Sequence, residues 1–232
     1  MSFPFFRKLK TTAKSIRLFS LEIIVLLVSF FLALTVFVLI ARTIVSHHNY
    51  DFDTNAFNYL DAHINPGNTG IMEFFTFLGT HWFLIPANLI LSAWFLFIEK
   101  KTWLSIKIPA IALSSVLLMA ILKFTFERAR PDNPVIMATG FSFPSGHALM
   151  SVTFYGLIIY ISSEKFKTLL PKILTSLFFI SLILIIGISR VYLRVHYASD
   201  VIAGYCVGFM WLIVSIAVIN YLENRHHSLK KT

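Results

Sequence analysis

Six apolar runs, over about residues 19–41, 79–98, 104–122, 147–162, 170–188 and 200–220, leave this chain little choice of fold. Crossing a bilayer as a helix takes about 20 predominantly apolar residues, and five of the runs reach or approach that length. Inside hydrocarbon every backbone polar group must find its partner within the segment, which selects helices. The fourth run is short. It gains length by starting within the Pro144-Ser145-Gly146 turn or by extending towards Phe166. The expected fold is therefore all-α: a polytopic membrane protein with six transmembrane helices over 19–220, a basic tail at 1–18 and a second tail at 221–232.

Composition supports this and excludes an ordinary soluble domain. The chain is 57% hydrophobic and only 13% charged, where soluble domains carry about 25% charged residues. A net charge of +9 would suit a nucleic-acid binder, but most basic residues flank apolar runs and no nucleic-acid motif is present. The single cysteine, Cys206, lies in an apolar run, so no intrachain disulfide and no cysteine-based zinc site is expected. The first run follows a basic stretch, as a signal peptide would. It is longer than a typical signal core and no small-residue cleavage site follows, so it reads as an uncleaved first span.

Charge then assigns sides. Arg7, Lys8, Lys10, Lys14 and Arg17 precede the first span, Lys100 and Lys101 follow the second, and Lys165, Lys167 and Lys172 follow the fourth. Arg225, Lys230 and Lys231 follow the sixth. All four groups fall on one side, as six alternating spans require, and the positive-inside rule makes that side cytoplasmic. Lys107, near the cytoplasmic end of span three, is expected to snorkel to the headgroups. The acidic outer segment, about 43–78, contains Asp51, Asp53, Asp61 and Glu73. It reads as a short interfacial helix leading into span two, with a loop of headgroup aromatics as the alternative, and Pro66-Gly67-Asn68 reads as a turn.

Five basic residues break the charge pattern: Lys123, Arg128, Arg130, Arg190 and Arg194 all fall in the other two outer links. Unpaired cations beside lipid are costly, and an anion shared among some of them would offset that cost. Three polar strings carry most of these residues: Lys123-x6-Arg130-Pro131, Pro144-Ser145-Gly146-His147, and Ser189-Arg190-x5-His196-x3-Asp200. Span parity puts all three on the same face.

Their chemistry suits phosphoryl transfer, which is mainly a problem of positioning and charge stabilisation. Lys123, Arg130 and Arg190 have the charge, and the arginines the fork, to hold the oxygens of a phosphate. Ser145 caps a helix whose first N–H groups form an anion site, and Gly146 lets the backbone approach. His147 then stands beside the anion, able to protonate a leaving oxygen. His196 and Asp200, four apart, would share one helix face, so that the carboxylate fixes the tautomer and leaves Nε2 as a nucleophile. No cluster of carboxylates suggests a metal, and no cofactor is expected.

The three strings match, without substitution, the signature of the type 2 phosphatidic acid phosphatase superfamily, and the resemblance covers about residues 70–220. Within it the chain is similar to bacterial lipid phosphatases of the phosphatidylglycerophosphate phosphatase B kind. The resemblance implies a six-span bundle with its site on the external face, acting on a membrane lipid phosphate. It implies His196 as nucleophile, His147 as general acid and base, and Asp200 as the partner of His196. Phosphate would be held by Lys123, Arg130 and Arg190, with Ser145 and Gly146 helping. Vanadium haloperoxidases share the motif, but their soluble fold does not suit six spans.

Two other functions fit parts of the pattern. Cleavage of undecaprenyl diphosphate to recycle a cell-wall carrier keeps the chemistry and changes the substrate. An anion transporter explains the cations but leaves His196 and Asp200 without a role. Among the remaining polar residues, Arg194 is expected to snorkel, with contact to the substrate as the alternative, and Arg128 to form a surface pair with Glu127. His47, His48, His63 and His81 read as scattered, His226 and His227 as solvated, and Tyr192 and Tyr197 as interfacial aromatics. Nothing in the sequence sets an oligomeric state.

Overall fold

The computed structural model describes residues 4–46 and 51–229, and within these the side chains other than those of residues 4–20 and 22. His47, His48, Lys230, Lys231 and the side chains of the N-terminal basic cluster thus lie outside the described residues. Eight α-helices make up the described chain: α1 (Pro4–Val45), α2 (Asp51–Asp61), α3 (Pro66–Phe77), α4 (His81–Ala93), α5 (Thr102–Phe126), α6 (Gly146–Lys165), α7 (Leu169–Tyr192) and α8 (Ala198–Leu229). A single π-helical turn, Trp94–Ile98, extends α4. Six of the helices are long and apolar enough to cross a membrane: α1, α4 with its extension, and α5 to α8.

The outer segment holds two helices where one was expected. Pro66 is not the middle of a turn but the first residue of α3, with Asn65 as N-cap accepting from the Asn68 N–H at 2.9 Å. Proline suits that position because its missing N–H would have no helical partner, and its fixed φ is already helical. The corner between α2 and α3 is pinned from below by Tyr192, whose hydroxyl lies 3.3 Å from the Asn65 N–H and 3.2 Å from both the His63 carbonyl and Thr69 Oγ1. Tyr192 is therefore a buried fastener rather than an interfacial aromatic.

α6 sits at the centre, packed against α5, α7 and α8. It is the most buried of the six spans, whereas α1 presents most of its described side chains outward. The α6–α8 contact is close because Gly204 and Gly208 stand one turn apart on α8. A Cβ on Gly204 would lie 2.6 Å from the Ser145 carbonyl, and one on Gly208 2.7 Å from the Leu149 carbonyl. Small residues four apart let two membrane helices bring their backbones together. Here they dock the beginning of α8 against the beginning of α6, where the second and third polar strings lie.

The opposite end has its own polar contacts. Lys165 donates to Glu99 at 2.6 Å, joining the α6–α7 and α4–α5 links, and Trp103 packs edge-on against His226. Lys107 does not snorkel. It is buried, and its ammonium meets Glu223 at 2.8 Å and Asn220 Oδ1 at 2.6 Å.

Candidate active site

All eight residues expected to form the site meet at one end of the bundle. Lys123 ends α5, Ser145 is the N-cap of α6, Gly146 and His147 start α6, Arg190 lies in the last turn of α7, and Asp200 in the first turn of α8. Arg130 comes from the loop after α5. That loop is anchored by Ser142, which bonds the Arg128 carbonyl at 2.8 Å, and by Phe143, fully buried and stacked on Phe37 of α1.

His196 and Asp200 come together for a different local reason than helical spacing. His196 precedes α8, which begins at Ala198. Asp200 folds back over the helix start, where its Oδ2 accepts the Tyr197 N–H at 2.9 Å and stands 3.5 Å from His196 Nδ1. A carboxylate at the third helical position reaching back to the N-cap N–H is one half of a capping box. His196 Nδ1 and Asp200 Oδ2 are close but do not form a well-made hydrogen bond, and Nδ1 is buried without a hydrogen-bond partner.

His196 Nε2 faces Arg130, whose NH1 lies 3.4 Å away. That guanidinium is aimed by the Thr139, Gly140 and Val195 carbonyls, to which it donates at 2.9 Å, 2.9 Å and 2.6 Å. Lys123 bonds the Phe141 carbonyl. Arg190 is buried and directs NH1 to Thr76 Oγ1 of α3 at 2.6 Å, while its Nε has no partner. Two more buried polar atoms are unpaired at the start of α6: Ser145 Oγ and His147 Nε2. Ser145 occupies the N-cap position without capping through its side chain, so its hydroxyl is free for a ligand. Such a cluster of polar atoms without protein partners, at a helix N-terminus, is suited to bind an anion.

The five outer cations sort into two classes. Arg128 is buried, not a surface residue paired with Glu127: NH2 meets Asp53 at 2.8 Å and NH1 meets Asp200 at 2.5 Å. Its guanidinium also lies 3.9 Å from the centre of the Tyr197 ring. Arg194 pairs with Asp61 and packs over Phe57 instead of snorkelling. Among the described residues, carboxylates neutralise these two and form no ion pair with Lys123, Arg130 or Arg190. Positive charge is left where an anion would sit.

Burial, helped by Arg190 and Arg130 and opposed by Asp200, pushes the His196 imidazole down to about 4. Near neutral pH the His196 ring is therefore uncharged. Burial likewise lowers Arg130 from its ordinary value. For Arg128 burial acts in the same direction, but Asp200 and Asp53 outweigh it and the guanidinium is raised. Among the described residues no group of three His, Cys, Asp or Glu side chains is arranged to hold a metal ion.

Asp53 and Thr76 escaped the sequence reading. Thr76 had a faint signal, being the one polar residue in the run Phe74–Leu78. Asp53 had none beyond the acidity of its segment. A cavity of about 380 Å³ adjoins the site between α4, α5 and α6, lined mainly by apolar side chains such as Leu84, Ile111 and Leu157, with His81 also in its wall. Met119 lines it and also lies against Gly146, so it separates this cavity from the helix start.

The sequence profile of the PAP2 superfamily matches residues 105–224. A phosphatidylglycerophosphatase B of Bacillus subtilis is 35% identical over 143 residues, which span 60% of this chain and 70% of that protein. An undecaprenyl-diphosphatase of Sulfolobus acidocaldarius is 26% identical over 200 residues, 83% of this chain and 89% of that one. The crystal structure of a transmembrane PAP2-type phosphatidylglycerolphosphate phosphatase from Bacillus subtilis superposes with a TM-score of 0.71 at 26% identity, covering 82% of this chain and 96% of that one. That of Aquifex aeolicus LpxE shares the fold, with a TM-score of 0.55 at 22% identity over 71% of this chain and 94% of the other.

Proposed function

The chain belongs to the PAP2 superfamily as a multi-pass membrane lipid phosphatase, and from that premise we propose that it hydrolyses a phospholipid phosphomonoester of the phosphatidylglycerophosphate or phosphatidic acid type through a phosphohistidine. Lys123, Arg130 and Arg190 hold the phosphoryl oxygens, aided by Ser145 Oγ and the N–H groups at the start of α6. Nε2 of His196 attacks phosphorus as the ester P–O bond breaks, and the imidazolium of His147 gives its proton to the leaving alcohol. Water then attacks phosphorus, His147 takes the water proton, and the P–N bond breaks to release phosphate and restore His196. Asp200 keeps the proton of His196 on Nδ1 and balances the charge that develops on the ring.

One observation carries this reading: Arg130, which has no carboxylate partner, faces Nε2 of His196 at 3.4 Å, and Arg190 and Lys123, also without carboxylate partners among the described residues, lie in the same charge cluster. The adjoining apolar cavity gives the lipid a place for a chain beside its headgroup. The positive-inside rule supports an external site with both termini cytoplasmic, since the Lys165–Glu99 contact and the C-terminal part of α8 lie at the end remote from it.

The longer match to an undecaprenyl-diphosphatase favours a second substrate, the diphosphate of a polyprenol, with the same residues cleaving the terminal phosphate. Phosphate release from both lipids, purified protein in detergent, decides between them by kcat/KM. The reaction itself is tested with vanadate and EDTA: inhibition by the first and full activity in the second are expected. A requirement for a divalent ion would overturn a phosphate site made of side-chain cations alone.

A further inference from the structure

The least expected contact in the molecule ties an outer helix to the carboxylate beside the proposed nucleophile. Asp53 is the one buried residue of α2. Its Oδ1 accepts the Ser199 N–H at 2.8 Å, and its Oδ2 accepts the Ser199 hydroxyl at 2.7 Å and Arg128 NH2 at 2.8 Å. The first N–H groups of a helix lack intrahelical partners, and α8 has one of them satisfied by a side chain from more than a hundred residues upstream. Arg128 completes the connection through NH1, which donates to Asp200 Oδ1 and to Ser199 Oγ at 2.8 Å.

Both oxygens of Asp200 are thereby committed. Oδ1 is held by Arg128, and Oδ2 by the Tyr197 N–H on the side that faces His196 Nδ1. We propose that Arg128 and Asp53 are positioning residues for the His196–Asp200 pair, setting the orientation of the Asp200 carboxylate and the net charge presented to His196. This rests on His196 being the nucleophile. Arg128 does not reach the phosphate itself: its guanidinium is occupied by the two carboxylates, the Ser199 hydroxyl and the face of Tyr197.

Two carboxylates and one guanidinium leave the cluster with one net negative charge beside His196. The other charged or titratable groups that act on His196 are Arg130 from the loop after α5, Arg190 from α7 and His147 from α6. Lys123 of α5 also acts on Asp200, and none of these groups is changed by the substitutions. A guanidinium bound by Asp200 alone would cancel the carboxylate that balances the ring. Asp53 prevents this by taking a share of the same guanidinium.

Opposite charge changes should therefore move the His196 proton affinity in opposite directions. Asp53→Asn keeps the shape and removes a negative charge, so the acidic limb of the kcat/KM profile moves down by about half to one pH unit. Arg128→Gln removes the positive charge and moves the limb up by about the same amount. The double variant returns it to near the wild-type position, and Arg128→Lys, which keeps the charge, leaves it within a few tenths of a unit. Both single variants lower kcat more than they alter KM. The substrate's own ionisation contributes equally to every profile and drops out of the comparison.

A wild-type protein that releases no phosphate at any pH overturns the reaction assignment, and this inference with it. A wild type that turns over while both single variants lose rate with the limb unmoved overturns this inference alone, because it reduces the cluster to a structural fastener. Should Arg128→Gln fail to give a monodisperse protein, the direction for Asp53→Asn decides: a downward move supports the proposal, and no move or an upward one ends it.

Discussion

Arg130 NH1 lies 3.4 Å from His196 Nε2, so a guanidinium and the ring nitrogen opposite Asp200 open onto the same small space. The guanidinium is held in that place by three backbone carbonyls and not by a carboxylate. Its charge remains available, and its direction is set before any substrate arrives. Preorganised charge of this kind needs no rearrangement as the transition state forms.

Replacing His196 by Ala removes the proposed nucleophile. Turnover is expected to fall at least 10³-fold, with thermal stability in detergent close to that of the wild type. Initial rates on a purified lipid monophosphate, alongside a melting curve, check it. Retention of more than a tenth of the activity would exclude His196 as nucleophile.

Burial of His196 also makes stability depend on pH. The unfolded imidazole takes up its proton near 6.5, but the folded one only near 4. Between those values the unfolded state binds more protons, so stability falls as pH falls. The full difference is on the order of 3 kcal/mol by pH 4. Melting temperatures measured from pH 7 to 4.5 should decline in the wild type and decline less in His196→Gln. Parallel curves would show that another group governs the acid sensitivity.

The cavity between α4, α5 and α6 predicts a specific defect. Ala112→Phe and Ser115→Phe place a ring inside it. For long-chain lipid phosphates KM should rise about 10-fold or more, while kcat/KM for a short-chain, water-soluble phosphomonoester stays within about 2-fold. Equal losses on both substrates would place the acyl chain elsewhere.

At the far end, Glu223→Gln leaves the Lys107 ammonium buried with Asn220 as its remaining side-chain partner. A loss of about 2–4 kcal/mol is expected, and Lys107→Met combined with Glu223→Gln should recover most of it, since an ion pair of this kind is costly mainly when halved. Denaturation in mixed micelles measures both. A double variant no more stable than the single would show that the pair contributes stability in its own right.

Much of this was legible in the chain. Backbone groups in hydrocarbon must bond internally, so each apolar run had to be a helix, and all six runs are. Parity then required the three polar strings to share one end of the bundle, and they do. His196 with Asp200 shows a weaker kind of success. The residues do meet, but through a carboxylate folded back over the start of α8 rather than through helical spacing, because His196 lies before the helix begins. The glycine pair that brings α6 and α8 together, Gly204 and Gly208, was visible as small residues four apart, though only the packing reveals which neighbour they admit.

Arg128, Arg194 and Lys107 were misjudged for a common reason. Each was assigned to lipid headgroups, water or a chain neighbour, and each instead meets a carboxylate 72 to 133 residues away or, for Lys107, on the far span α8. Periodicity and hydropathy are local quantities, so they determined how many spans form, which ends they share and which reactive groups gather there. The division of five outer cations into two that carboxylates neutralise and three that keep no carboxylate partner among the described residues was decided by tertiary structure alone. It depends on Coulomb energies that act through space between helices, and no spacing along the chain records which helices become neighbours.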